Sequence, residues 1–304
     1  MSEPPIGVLV MAYGTPSTRD DVAAFYTRIR HGNSPTPELL ADLVRRYDAI
    51  GGTSPLAQRT MAQVSALDAA LAATEPGRFD VRFGAKYEPP LIEDTARALR
   101  EDGVTSVIGL ALAPHSSSMS TTQYMSRARR ALGEGVALRA IDAWWDAPGF
   151  VELIAGRVSD ALATIDAERR PNAEVLFSAH SLPQRILDDG DTYPDQLRES
   201  ARRVAHTAGL SHWDVAWQSA GRTADAWLGP DILDVLRAKR AAGVRDLVSC
   251  PIGFVADHLE VLFDIDVEAQ GVAHELGLTL IRTASLNDDP ALIAVLADVV
   301  RGAV

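Results

Sequence analysis

Two four-stranded parallel sheets, each flanked by helices, are the architecture the sequence predicts for this α/β chain. Three observations carry that reading. Eight short runs are almost continuously apolar and rich in β-branched residues, as parallel strands buried on both faces should be. Longer amphipathic segments alternate with the runs, giving the repeated strand–helix unit of a parallel sheet. A turn-rich stretch with paired tryptophans, DAWWDAPG at 142–149, divides the runs into four before it and four after.

In chain order, the first four strands are expected at 7–12, 81–85, 107–113 and 138–141, with helices at 20–30, 57–73, 90–100 and 122–132. The second four are expected at 175–178, 215–218, 247–252 and 278–282, with helices at 150–166, 193–208, 231–240 and 289–300. The last helix has Asp289 at its N-cap and Pro290 at its first turn, where a proline loses no hydrogen bond. In open sheets of this kind a ligand sits beyond the carboxyl ends of the strands. Chemistry-bearing motifs are therefore sought just after strands.

Composition narrows the function classes. Among 304 residues, 29 Lys and Arg face 41 Asp and Glu, for a formal charge of −12. Such a balance argues against nucleic acid, which needs a clustered basic surface, and against a polybasic membrane attachment. Cys250 is the only cysteine, so neither an intramolecular disulfide nor a cysteine-ligated cluster can be built. The start, Met-Ser-Glu-Pro-Pro, lacks the positive region of an export signal, and no apolar run reaches the ~20 residues of a transmembrane segment. A cytoplasmic protein without a transmembrane segment is expected, and nothing demands more than a monomer.

Four motifs follow strands. Phe177-Ser178-Ala179-His180-Ser181-Leu182-Pro183 places a histidine at a strand exit, as proton acceptor, metal contact or simple hydrogen-bonding group. Cys250-Pro251-Ile252-Gly253 then leads into a helix expected to start near Ala256. On it Glu260, Asp264 and Glu268 recur every fourth residue and share one face. No Lys or Arg occurs between Asp257 and Glu268 to relieve them, so the stripe is either an exposed acidic face or a path for cations and protons. Tyr13 leaves the first strand into Gly14-Thr15-Pro16, where it either caps the sheet edge or contacts a metal across a flat ligand. Arg28, Arg30, Arg45 and Arg46 precede Ile50-Gly51-Gly52-Thr53-Ser54-Pro55-Leu56; they are a solvated face or a receiver for an anionic ligand. His115, in the Ala113–Ser118 loop, reads as structural. There is no dinucleotide-binding glycine motif, no P-loop and no hydrolase serine elbow.

Ser178-Ala179-His180-Ser181-Leu182-Pro183 with Gly253-Phe254-Val255-Ala256-Asp257-His258-Leu259-Glu260 resembles the signature pair of the ferrochelatases. Trp217-Gln218-Ser219 and Trp227-Leu228-Gly229-Pro230-Asp231 resemble the same family, while the Met11–Pro16 and Ile50–Leu56 segments resemble its compact Gram-positive, coproporphyrin-using branch. The resemblance runs from the first strand to about residue 270.

What it implies is specific. The fold would be two Rossmann-like lobes over 1–141 and 142–286 with a porphyrin cleft, and a helix over 287–304 packing back on the first lobe. The activity would be insertion of Fe²⁺ into coproporphyrin III; the alternatives are a protoporphyrin IX ferrochelatase and a non-catalytic porphyrin or haem carrier. His180 would take part in metal delivery or pyrrole proton removal, with Glu260 as partner and Asp264 and Glu268 as an acidic ridge on a π-bulged helix. Tyr13 would face the porphyrin and touch the iron, and Arg30, Arg46, Ser54 and Tyr124 would receive propionates. Fe²⁺ is then a substrate, no cofactor is tightly bound, the ridge has room for a Mg²⁺, and a [2Fe–2S] cluster is not expected. Arg222 stands where the family pattern has asparagine.

Overall fold

The computed structural model describes residues 4–221 and 223–304; Arg222 lies outside them. Two compact units result. The first runs to Trp144 and resumes at Leu286–Val304, and the second is Trp145–Ser285.

The first unit contains β1 (Ile6–Ala12), α1 (Val22–Ile29), α2 (Pro37–Ala49), α3 (Leu56–Thr74), β2 (Phe79–Ala85), α4 (Ile92–Glu101), β3 (Ser106–Ala111), α5 (Thr121–Leu132) and β4 (Ala137–Ile141). The second contains α6 (Pro148–Ala163), β5 (Glu174–His180), α7 (Tyr193–Thr207), β6 (Trp213–Gln218), α8 (Ile232–Ala241) and β7 (Asp246–Cys250). It continues through a short α9 (Leu259–Leu262), a π-helical stretch Asp264–Ala269, α10 (Gln270–Leu276) and β8 (Thr279–Arg282). The chain then returns to the first unit as α11 (Pro290–Gly302), which packs on α3.

Both sheets are four-stranded and all parallel, in the orders β2-β1-β3-β4 and β6-β5-β7-β8. The chain reverses direction across each sheet, so each has a switch point, at β1/β3 and at β5/β7. Ligands bind beyond the carboxyl ends of strands at such points. Tyr13 follows β1, His180 ends β5, and the segment leading to Glu260 follows β7.

Strand composition explains the burial. Val8, Leu9, Val10 and Met11 are wholly buried, as a two-sided central strand requires. Leu9, Leu99, Val107, Met125 and Leu132 build the core on one face of the first sheet. Leu176, Leu236 and Leu247 do so in the second, where Ile265 and Ala269 of the π-helical stretch join them.

Three local expectations need correction. The helix expected near Ala256 begins at Leu259, because residues 251–258 run as a loop closing on β5. The single helix expected over 20–30 is a 3₁₀ turn, Arg19–Asp21, followed by α1. Helix α2 was not expected, although Thr36 caps it by accepting from the Leu39 N–H and Pro37 opens it. At the other end of the chain, Asp289 accepts from the Ala291 N–H with Pro290 in the first turn, as expected.

Candidate active site

In the second unit the centre is a carboxylate held between two imidazoles. His180 sits at the end of β5, where its Nδ1–H donates to the Ser181 carbonyl. That bond fixes the tautomer and leaves Nε2 facing Glu260 Oε1 at 3.5 Å. The other carboxylate oxygen, Oε2, lies 3.4 Å from His258 Nε2. His258 is oriented in the same way, with Nδ1–H donating to the Ala256 carbonyl at 2.9 Å, and it packs on Phe254 with ring centroids 4.6 Å apart.

The frame behind this centre comes from β6. Gln218 pairs with His180 in the sheet register and accepts from Ser178 Oγ at 2.9 Å. Its amide NH₂ donates to the Glu260 backbone carbonyl at 2.9 Å. Ser219, the next residue, has φ of 61°, a left-handed conformation that costs a non-glycine residue about 1–2 kcal/mol. Its hydroxyl donates to the Asp264 carboxylate.

The acidic stripe is therefore not a solvated face. Asp264 is buried, and Glu268 is half-buried. The backbone over this stretch is π-helical, with the Glu268 N–H donating to the Phe263 carbonyl at 2.9 Å across five residues. Widening a helix to this bonding pattern brings residues four apart, here Asp264 and Glu268, closer to eclipsed. Among the described residues, no three His, Cys, Asp or Glu side chains gather as a metal-holding group.

Electrostatics couple the pair. Burial alone would push the His180 imidazole down, but the charge and hydrogen bond of Glu260, the Ser181 carbonyl and Asp264 together hold it well above the ordinary histidine value. Burial pushes Glu260 up, and the two histidines outweigh that and hold it far below the usual carboxylate range. Both directions favour an imidazolium beside a carboxylate. The raised His180 contributes stability fully present below its ordinary 6.5 and lost as pH climbs through its folded value. The depressed Glu260 contributes stability present above its ordinary 4.5 and lost as pH falls through its folded value. In imidazole NMR, His180 is expected to titrate above the normal histidine range, and in Glu260→Gln well below its wild-type midpoint. An unchanged midpoint in the variant would remove Glu260 as the cause.

The first unit presents a different surface. Tyr13 leaves β1 at Gly14, whose φ is 92°, and is 40 % exposed. Its ring meets Tyr87 edge-on at 4.8 Å and Phe25 at 6.4 Å. Beneath these rings lies Lys86, buried, with Nζ 4.9 Å from the Tyr87 centroid and 5.9 Å from those of Tyr13 and Tyr124. Nζ donates to Gln123 Oε1 at 2.7 Å. Burial, and then Arg127, push its amine down to about 8.

The arginine group divides. Arg28 is committed to Glu88 and the Tyr87 carbonyl, Arg45 to Asp42, and Arg46 Nε donates to Asp42 at 3.2 Å. Arg30 differs, since its buried Nε–H finds no acceptor among the described residues. Ser54 accepts from the Leu56 N–H at 3.2 Å, and Tyr124 is buried. His115 is buried as well, and burial pushes its imidazole down to about 3.

The ferrochelatase family model matches residues 5–304. The chain belongs to the ferrochelatase family. A ferrochelatase of Herpetosiphon aurantiacus is 47% identical over 97% of this chain and 98% of its own. The coproporphyrin III ferrochelatase of Bacillus subtilis is 43% identical over 99% of this chain and 98% of its own. Among solved structures, SirB from Bacillus subtilis with Fe³⁺ superposes with a TM-score of 0.60 at 12% identity, covering 98% of this chain and 95% of that one. CbiX gives 0.56 at 15% identity, covering 98% and 99%. At such identities these two report the fold alone, the two-sheet chelatase architecture.

For this ferrochelatase family member, sequence reasoning found His180, Glu260, Asp264, Glu268 and Tyr13 as candidates. It passed over His258, Gln218, Ser219 and Lys86. The signal for His258, Gln218 and Ser219 lay inside motifs already quoted. Lys86 had only its position after a strand to mark it.

Proposed function

We propose that this chain is a coproporphyrin III ferrochelatase, inserting Fe²⁺ into the macrocycle with release of two protons. The observation that carries the reading is Glu260 held between His180 and His258, with Asp264 and Glu268 following on the same segment of chain. A dication entering a rigid plane must lose water while two pyrrole N–H groups lose protons, so carboxylates and a proton acceptor are needed together. As the dication approaches along Glu268 and Asp264, the His180 imidazolium passes its proton to water. Neutral His180, backed by Glu260, then accepts the two pyrrole protons one after the other, handing the first to water before it takes the second. Tyr13 is proposed to contact the porphyrin and the iron, and Arg30, Arg46, Ser54 and Tyr124 to receive propionates. The free Nε–H of Arg30 supports that role most directly, and coproporphyrin offers four such carboxylates.

Fe²⁺ is the substrate, and no resident ion enters this mechanism. No helix among the described residues is long and apolar enough to cross a membrane. The reaction is proposed to run in the cytoplasm, on a monomer.

Anaerobic insertion followed by porphyrin absorbance, with coproporphyrin III and protoporphyrin IX in parallel, tests the assignment. Coproporphyrin III is expected to turn over at least tenfold faster. Preference for protoporphyrin IX would reassign the substrate, and porphyrin binding without metallation would make the protein a carrier. Zinc is expected to be inserted as well, because nitrogen and oxygen donors hold Zn²⁺ more tightly than Fe²⁺.

A further inference from the structure

The acidic run from Asp257 to Glu268 has no Lys or Arg of its own, yet one guanidinium reaches it from β8. Arg282, the last residue of β8, donates Nε to Asp266 Oδ1 at 2.7 Å and Nη2 to Oδ2 at 2.9 Å. Its Nη1 donates to Ser285 Oγ at 3.0 Å and to the Thr283 carbonyl at 3.2 Å. The same nitrogen lies 3.5 Å from Asp257 Oδ1, to which Ser285 Oγ donates at 2.6 Å. The Arg282 side chain is only 17 % exposed, so water screens this fork poorly.

The two carboxylates it grips flank the candidate site in sequence. Asp257 stands three residues before Glu260, and Asp266 lies between Asp264 and Glu268 within the π-helical stretch. Ile265 and Ala269 fix the apolar side of that stretch in the core, and Ser219, just after β6, pins Asp264. Asp266 is the point at which β8 takes hold of it. We propose that Arg282 is a positioning residue: its forked pair with Asp266, together with Asp257, holds the π-helical register that sets Glu268 relative to Asp264. This rests on the ferrochelatase reading above. Without the fork, the Glu268 N–H can return to a four-residue partner, and the turn of about 100° per residue then carries Glu268 away from Asp264. A lysine cannot replace the fork, because an ammonium is a point charge without paired donors.

The experiment compares wild type with Arg282→Lys, Arg282→Gln, Asp266→Asn and the Arg282→Gln/Asp266→Asn double variant. Metal is varied at saturating porphyrin, and porphyrin at saturating metal. Each single variant is expected to raise KM for the metal about tenfold and to leave KM for porphyrin within about twofold. The double variant should be no worse than the singles, since both remove one interaction. Hydrogen exchange at the Glu268 amide, read on the resting protein, is expected to quicken in all of them. Metal and porphyrin parameters worsening alike with a lowered melting temperature would reduce Arg282 to a structural role. Unchanged exchange and unchanged metal KM would overturn the proposal. If wild type fails to metallate, the ferrochelatase reading falls, and the exchange data still decide whether Arg282 sets the register.

Discussion

His180→Ala is expected to lower kcat for metallation by about 10²–10⁴-fold, the range for removing a positioned proton acceptor. Porphyrin binding, followed by fluorescence quenching, should change only a few-fold. The reason lies in the geometry of the pair. Nδ1 is engaged by the Ser181 carbonyl, so only Nε2 is available, and it points at Glu260 from 3.5 Å. Alanine removes the acceptor and also leaves the half-buried Glu260 carboxylate with His258 alone. Adding Glu260→Gln should therefore cost far less than its effect in the wild-type background, because groups that act as a unit are not additive. A His180→Ala protein that metallates at the wild-type rate would remove this residue from the mechanism.

Gly253→Ala should both destabilise the second unit and suppress activity. The Gly253 N–H donates to the Ser178 carbonyl at 3.1 Å, holding the loop after β7 hard against the end of β5. A Cβ added there would lie 2.5 Å from Ala179 Cβ and 2.9 Å from its Cα, closer than side chains tolerate. Either the strand end carrying His180 or the loop leading to Glu260 must move. Overpacking of this kind costs about 1–3 kcal/mol, or a few to about ten degrees in melting temperature at this size. A displacement of about 1 Å in catalytic geometry can cost a further ~10²-fold in rate. Gly271→Ala, where an added Cβ meets nothing within 4 Å, is the control and should leave both properties near wild type. Equal behaviour of the two variants would show that the close approach does not position the site.

Strand positions were legible because buried parallel strands write themselves as unbroken apolar runs, and the motifs stood out because they follow those runs. The spacing of Glu260, Asp264 and Glu268 marked a shared face by itself, and the π-helical backbone followed only from the family resemblance. Helix α2 was missed because its start signal, Thr36-Pro37, sits in a proline-containing stretch that reads as loop. Arg282 was invisible for a deeper reason. Charge patterning looks three or four residues along a helix, while Arg282 reaches Asp266 across a strand and 16 residues of chain. Lys86 was hidden likewise, since its ring of tyrosines is gathered from the segments just after β1 and β2 and from α5.

The return of α11 to α3 has a consequence for how the molecule is made. Gln63 on α3 donates to the Asn287 carbonyl at 2.7 Å, and Arg301 on α11 reaches Glu75 at 3.2 Å, so the first unit is completed by residues synthesised after the whole of the second. During translation, Trp145–Ser285 can reach its final form as one continuous stretch. The earlier-made unit must wait with one side of α3 uncovered until the segment from Leu286 onward emerges from the ribosome. The unit that is begun first is thereby the one that is closed last.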